Sequence, residues 1–169
     1  TSGSCVKPAD FDQDGDMDLF VGGRQTPWSY PMPTNSYLLE NDNGKLKNVG
    51  HKKAPLLNQI GMVTDAHWGD LNEDGTTDLL IVGEWMQPRM LVQKEGKFVE
   101  DSENLLPDNY VGWWNRIAAA DLDNDGDMDF VLGNLGKNYK YQATPLAPFH
   151  IYGSDFDGNG SSDIVLGYF

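Results

Sequence analysis

One cysteine, Cys5, stands in 169 residues, so no disulfide can form within the chain, and a lone thiol does not identify a compartment. No catalytic motif surrounds it, and Cys5 reads as a small buried residue. Long apolar runs are missing as well. No stretch approaches the roughly 18 residues of a membrane helix, which argues against membrane insertion. Basic residues are few: 12 lysines and arginines face 26 aspartates and glutamates, giving a net charge of −14. So acidic a surface makes nucleic acid and anionic membranes poor partners. No leader peptide is visible and Thr1 is not a natural start, so the sequence is expected to be a mature chain or a part of something longer.

What is present is turn chemistry and clustered acid. Nineteen glycines, nine prolines and an apolar fraction of 39% predict an all-β protein rather than a helical bundle. Most of the acidic residues fall in four short relatives: DFDQDGDMDLFVGG from residue 10, DLNEDGTTDLLIVGE from 70, DLDNDGDMDFVLGN from 121 and DFDGNGSSDIVLGY from 155. Each reads D-x-[DN]-x-[DN]-G-x-x-D and then runs apolar to a glycine. Four copies in one chain are an internal repeat.

The pattern has a physical reason. Oxygens at positions 1, 3 and 5 of a tight loop can converge on one point, and glycine at position 6 permits a backbone conformation that a Cβ resists. Position 7 can then lend its carbonyl, and the aspartate at position 9 closes the shell. Six or seven hard oxygens describe Ca²⁺, with Mg²⁺ second because it prefers tighter octahedral geometry and retained water. The candidate ligands are Asp10, Asp12, Asp14, Asp16 and Asp18; Asp70, Asn72, Asp74, Thr76 and Asp78; Asp121, Asp123, Asp125, Asp127 and Asp129; and Asp155, Asp157, Asn159, Ser161 and Asp163. Up to four ions are expected. The first and third loops offer carboxylates at all of positions 1, 3, 5 and 9 and should bind more tightly than the second and fourth, where Asn72 and Asn159 supply amides. An EF-hand would need a bidentate Glu at position 12, which here is Val21, Ile81, Leu132 or Leu166. The flanking residues are short apolar runs suited to strands, so each loop is expected to be the tip of a hairpin.

That combination resembles the FG-GAP/VCBS repeats of integrin α-subunit β-propellers and their bacterial relatives. NSYLLENDNGKLKNV from residue 35 and PRMLVQKEGKFVEDS from 88 look like the outer hairpins that close a blade, turning at Asn43-Gly44 and Glu95-Gly96. The spacers, GMVTDAHWGD and VGWWNRIAAAD look most like bacterial VCBS-repeat proteins of the CRTAC/ASPIC-UnbV kind. The resemblance implies four-stranded antiparallel blades. About three are expected, as an open segment of a larger propeller: blade 1 over residues 1–52, blade 2 over 58–104, blade 3 over 110–169. The strands of blade 1 are placed at 4–9, 18–22, 36–41 and 45–49, and those of blade 2 at 62–69, 78–85, 89–94 and 97–101. The leading aspartates lie 60, 51 and 34 residues apart, and the last interval is short for a blade. Either residues 149–169 are the outer pair of blade 3, the preferred reading, or blade 3 is truncated and a fourth begins near 149.

No catalytic constellation appears. Asp65 and His67 share a strand face, and repeat alignment sets Asp65 beside Arg116, where an ion pair between blades is the favoured role. Trp68, Trp113 and Trp114 read as packing. Trp28 and Tyr30, in a long proline-rich loop, and Trp85 are candidate ligand contacts. The expected function is a non-enzymatic, calcium-stabilised module for protein or carbohydrate binding or adhesion, placed outside the cytoplasm, at the cell surface or in the periplasm. Self-association through exposed blade faces is a further expectation. The alternatives are a propeller segment of a polysaccharide-processing enzyme and a pure scaffold.

Overall fold

A computed structural model describes residues 1–102, 110–136, 138–144 and 146–168; the end of the second expected blade at 103–104 and residues 137, 145 and 169 of the third lie outside them. The described chain is mostly strand, in antiparallel sheets. Strands β1 (Ser2–Ala9), β2 (Asp18–Gln25), β3 (Tyr37–Asp42) and β4 (Lys45–Asn48) pair in chain order as sheet 1. A short helix, α1 (Gly50–Lys53), and a 3-10 turn at Pro55–Leu57 lead out of it. Strands β5 (Met62–Gly69), β6 (Asp78–Met86), β7 (Arg89–Lys94) and β8 (Lys97–Glu100) repeat the same order as sheet 2. Strands β9 (Gly112–Ala120) and β10 (Asp129–Asn134) form a third hairpin, whose β9 touches the end of β6 at Glu84↔Trp113 and Met86↔Gly112. Strands β11 (His150–Ser154) and β12 (Asp163–Gly167) form a fourth. The strands expected at 62–69 and 89–94 coincide with β5 and β7.

The third unit departs from expectation. The sequence favours residues 149–169 as the outer pair of the third blade, but among the described residues β11 pairs only with β12. Tyr141, in the loop before it, packs against Phe149 and Tyr168 at the base of the hairpin, with ring centroids at 5.1 and 4.4 Å, which ties the hairpin to that loop.

Sheets 1 and 2 bury the core between them. Phe11, Phe20 and Leu38 of the first repeat meet Val63, Ala66, Leu79, Ile81, Leu91 and Phe98 of the second, with Trp68 packed alongside. Phe11 lies 6.0 Å from the Trp68 ring and 5.7 Å from Phe98. Polar contacts cross the same seam: Trp68 Nε1 donates to the Lys7 carbonyl at 3.0 Å, Gln93 Nε2 to the Phe11 carbonyl at 2.9 Å, and Arg24 pairs with buried Glu84.

A bulge recurs at one place in three repeats. The pairing skips Ser4 in β1, Thr64 in β5 and Asn115 in β9. A bulge leaves ladder groups unpaired. The skipped residue is polar each time and donates to a carbonyl: Ser4 to Gly22 at 3.2 Å, Thr64 to Val82 at 3.2 Å and Asn115 to Trp113 at 3.4 Å.

Candidate metal loops

The four acidic segments lie between β1 and β2, β5 and β6, β9 and β10, and β11 and β12. Each therefore caps a hairpin, as the apolar runs behind them predict. Their internal hydrogen bonds follow one scheme. The leading aspartate accepts the N–H of position 6 in every loop: Asp10 from Gly15 at 3.0 Å, Asp70 from Gly75 at 2.8 Å, Asp121 from Gly126 at 3.1 Å and Asp155 from Gly160 at 2.8 Å. The position-9 aspartate accepts the N–H of position 2: Asp18 from Phe11, Asp78 from Leu71, Asp129 from Leu122 and Asp163 from Phe156, at 2.8–3.2 Å. These bonds hold one end of the loop to the other. Glycine at position 6 has positive φ in all four, 97°, 83°, 103° and 86°.

The carboxylates converge unequally. Oxygens of positions 1, 3 and 9 lie within 4.8 Å of one another in the first, third and fourth loops, as Asp10, Asp12 and Asp18; Asp121, Asp123 and Asp129; and Asp155, Asp157 and Asp163. The second loop has an amide at position 3, Asn72, which accepts the Asp74 N–H at 3.1 Å. Position 5 is turned to another task. Asp14, Asp74, Asp125 and Asn159 accept the N–H of position 7, that of Asp16, Thr76, Asp127 and Ser161, at 2.8–3.2 Å. Asp16 itself accepts the Asn43 N–H at 3.1 Å, joining the first loop to the β3–β4 turn.

Electrostatics follow from this crowding. Burial pushes the Asp18 and Asp78 carboxyls above the ordinary aspartate value, against the backbone N–H groups that favour the charged form. Asp127 is pushed up to about 6 by its hydrogen bond with Asp125 and by the charges of Asp125, Asp129 and Glu73. Asp74 and Asp155 go the other way, held low by hydrogen bonds from Thr76 and from the Gly160 N–H. In the first loop one oxygen of Asp12 takes Lys53 at 3.1 Å, while the other, Oδ1, is buried with no hydrogen-bond partner. A hard dication fits this donor set. It would supply the missing partner of Asp12 Oδ1 and offset the mutual repulsion of the carboxylates.

Three contacts escaped the sequence reading. Lys53 ends the basic run His51-Lys52-Lys53, yet it bridges Asp12 and, at 2.5 Å, Glu40. Lys7 pairs with Asp65 at 2.7 Å, while exposed Arg116, the expected partner, stands at 3.9 Å. Position 4 of each loop is also left-handed: Gln13, Glu73 and Asn124 have φ of 60–63°, and only the fourth loop uses glycine, Gly158. A lysine just before an acidic run was a signal for Lys7, whereas Lys53, inside a basic run, carried none.

The candidate ligand residues divide. Trp85 Nε1 donates to Tyr30 Oη at 2.8 Å, and its ring stacks on Phe149 at 5.6 Å. Trp28 stands apart, 91% exposed. Trp28 and Trp85 both have positive φ, 64° and 57°, which is strained for so bulky a side chain.

Four antiparallel hairpins tipped by one acidic loop, three of them bulged at the same position, define a β repeat protein. The profile of the FG-GAP-like repeat matches residues 10–81 and again 70–132, together well over half the chain. The chain belongs to the FG-GAP-like repeat family. No curated protein matches it.

Proposed function

We propose that this chain is a calcium-binding β-propeller module acting outside the cytoplasm, non-enzymatic, presenting a face for a protein or carbohydrate ligand. Membership of the FG-GAP-like repeat family supports a propeller-type module. The observation that carries the calcium reading is the shared loop scheme, in which oxygens of positions 1, 3 and 9 gather within 4.8 Å in three loops. Bound calcium would be structural: a cation that binds the folded loop alone stabilises the fold by about 2.7 kcal/mol per site when present at a hundred times its Kd. The four-stranded sheets are read as blades and the third and fourth hairpins as the inner strands of two more. The ligand face is placed at Trp28, Tyr30 and Trp85, at the end of the sheets away from the acidic loops. Strained backbone at two tryptophans supports that placement.

Thermal unfolding with and without EDTA tests the proposal. Chelation should lower the melting temperature by many degrees, with full recovery in Ca²⁺ and partial recovery in Mg²⁺. A melting curve indifferent to EDTA would sink it.

A further inference from the structure

The first acidic loop holds a cation of the chain's own. Lys53 Nζ lies 3.1 Å from Asp12 Oδ2, 2.5 Å from Glu40 Oε2 and 5.0 Å above the ring of Phe11. Asp12 is position 3 of that loop, one of the three carboxylates whose oxygens gather there. Two backbone bonds bring the lysine to this spot. The Lys53 N–H donates to the Val49 carbonyl, and the Val49 N–H to the Leu38 carbonyl of β3, both at 2.9 Å. Glu40 stands two residues further along β3, so one strand carries both the tether of the lysine and its second partner. The three side chains are only 23–26% exposed, and water screens their attraction in part. Among the described residues no other loop carboxylate is ion-paired. The position-3 aspartates of the third and fourth loops, Asp123 and Asp157, accept the N–H of position 5 in their own loops, from Asp125 at 3.3 Å and Asn159 at 3.1 Å.

Carboxylate count alone would make the first and third loops equal. We propose that Lys53 is a built-in counter-cation that sets them apart: it holds Asp12 while the first loop is empty and competes with a divalent ion for it, so this loop binds calcium more weakly than the third. The ammonium offsets one negative charge of the empty loop and repels an incoming dication. Glu40 makes the exchange feasible, because it leaves Lys53 a partner once Asp12 is shared with the ion. The inference rests on the calcium reading of the loops.

Calcium titration followed by NMR tests it, since the position-6 amides of Gly15 and Gly126 each belong to one loop. In the parent chain Gly15 should respond at higher calcium than Gly126. Lys53→Met keeps the aliphatic stem and removes the charge, and should lower the Gly15 midpoint about tenfold, as expected for one like charge removed nearby, with Gly126 unmoved. Lys52→Met removes the same charge from the exposed neighbour and should move neither midpoint by more than about twofold. Melting curves should show Lys53→Met losing more stability in EDTA than in calcium. A parent chain whose Gly15 responds no later than Gly126, an unchanged Gly15 midpoint in Lys53→Met, or an equal shift from Lys52→Met would each overturn the role of Lys53 and leave calcium binding standing. A parent chain with no calcium response at any loop would instead remove the calcium reading, and this inference with it.

Discussion

Phe11 and Leu122 occupy the same position in two copies of one loop, directly after the leading aspartate. Phe11 is fully buried against Trp68 and Phe98, whereas Leu122 faces solvent. Removing a buried aromatic ring loses its transfer energy and leaves a cavity, so Phe11→Ala should cost about 3–5 kcal/mol. Leu122→Ala should change stability by about 0.5 kcal/mol or less, measured by urea unfolding at low protein concentration. Equal costs would mean that the surface next to the loop does not decide what this position contributes. The aspartates around these residues were readable from spacing alone, because the hydrogen bonds common to all four loops, from position 6 to position 1 and from position 2 to position 9, span 5 and 7 residues. Lys53 was not readable. It reaches Asp12 across 41 positions, through the turn that α1 makes after sheet 1.

Between elements, Asp65 is the joint. Its side chain is almost wholly buried on β5, where it takes Lys7 of β1 and accepts the N–H of Ile117 in β9 at 3.1 Å. Burial opposes its charge, but Lys7 and the Ile117 N–H prevail and hold the carboxyl below the ordinary value of 3.8. A depressed folded pKa contributes stability that is present above the unfolded value and lost as pH falls through the folded one. Asp65→Asn should therefore cost about 1.5–3 kcal/mol near neutral pH. The gap between variant and parent should shrink as the pH drops below about 4, in unfolding curves taken across that range. A pH-independent gap would mean that packing, not charge, carries the effect. Repeat alignment had placed a partner for Asp65 on the neighbouring strand. It could not rank Lys7 above Arg116, because that choice depends on how two sheets are offset.

Across the whole molecule, the acidic loops lie at one end of the sheets and an aromatic cluster at the other. Four bound dications would take the formal charge from −14 to about −6, relieving the self-repulsion of the loop end. The aromatic end holds Tyr30, Trp85, Phe149 and exposed Trp28. Aromatic faces stack on sugar rings, so a glycan array probed in calcium should show binding that Trp28→Ala weakens roughly tenfold or more, about the loss of one good aromatic contact. Binding unchanged by that substitution would move the ligand face elsewhere.

The sequence by itself determined the repeat, the loop chemistry and the hairpins. All three are local: side-chain spacing, glycine at a left-handed position and apolar alternation act within a dozen residues. Only the tertiary structure decided the rest. It showed that β11 and β12 stand apart from β10, that a bulge recurs at Ser4, Thr64 and Asn115, and that equal positions are buried in one repeat and bare in another. Those outcomes depend on which surface lies next to which, and near-identical repeats carry near-identical local instructions whatever their neighbours.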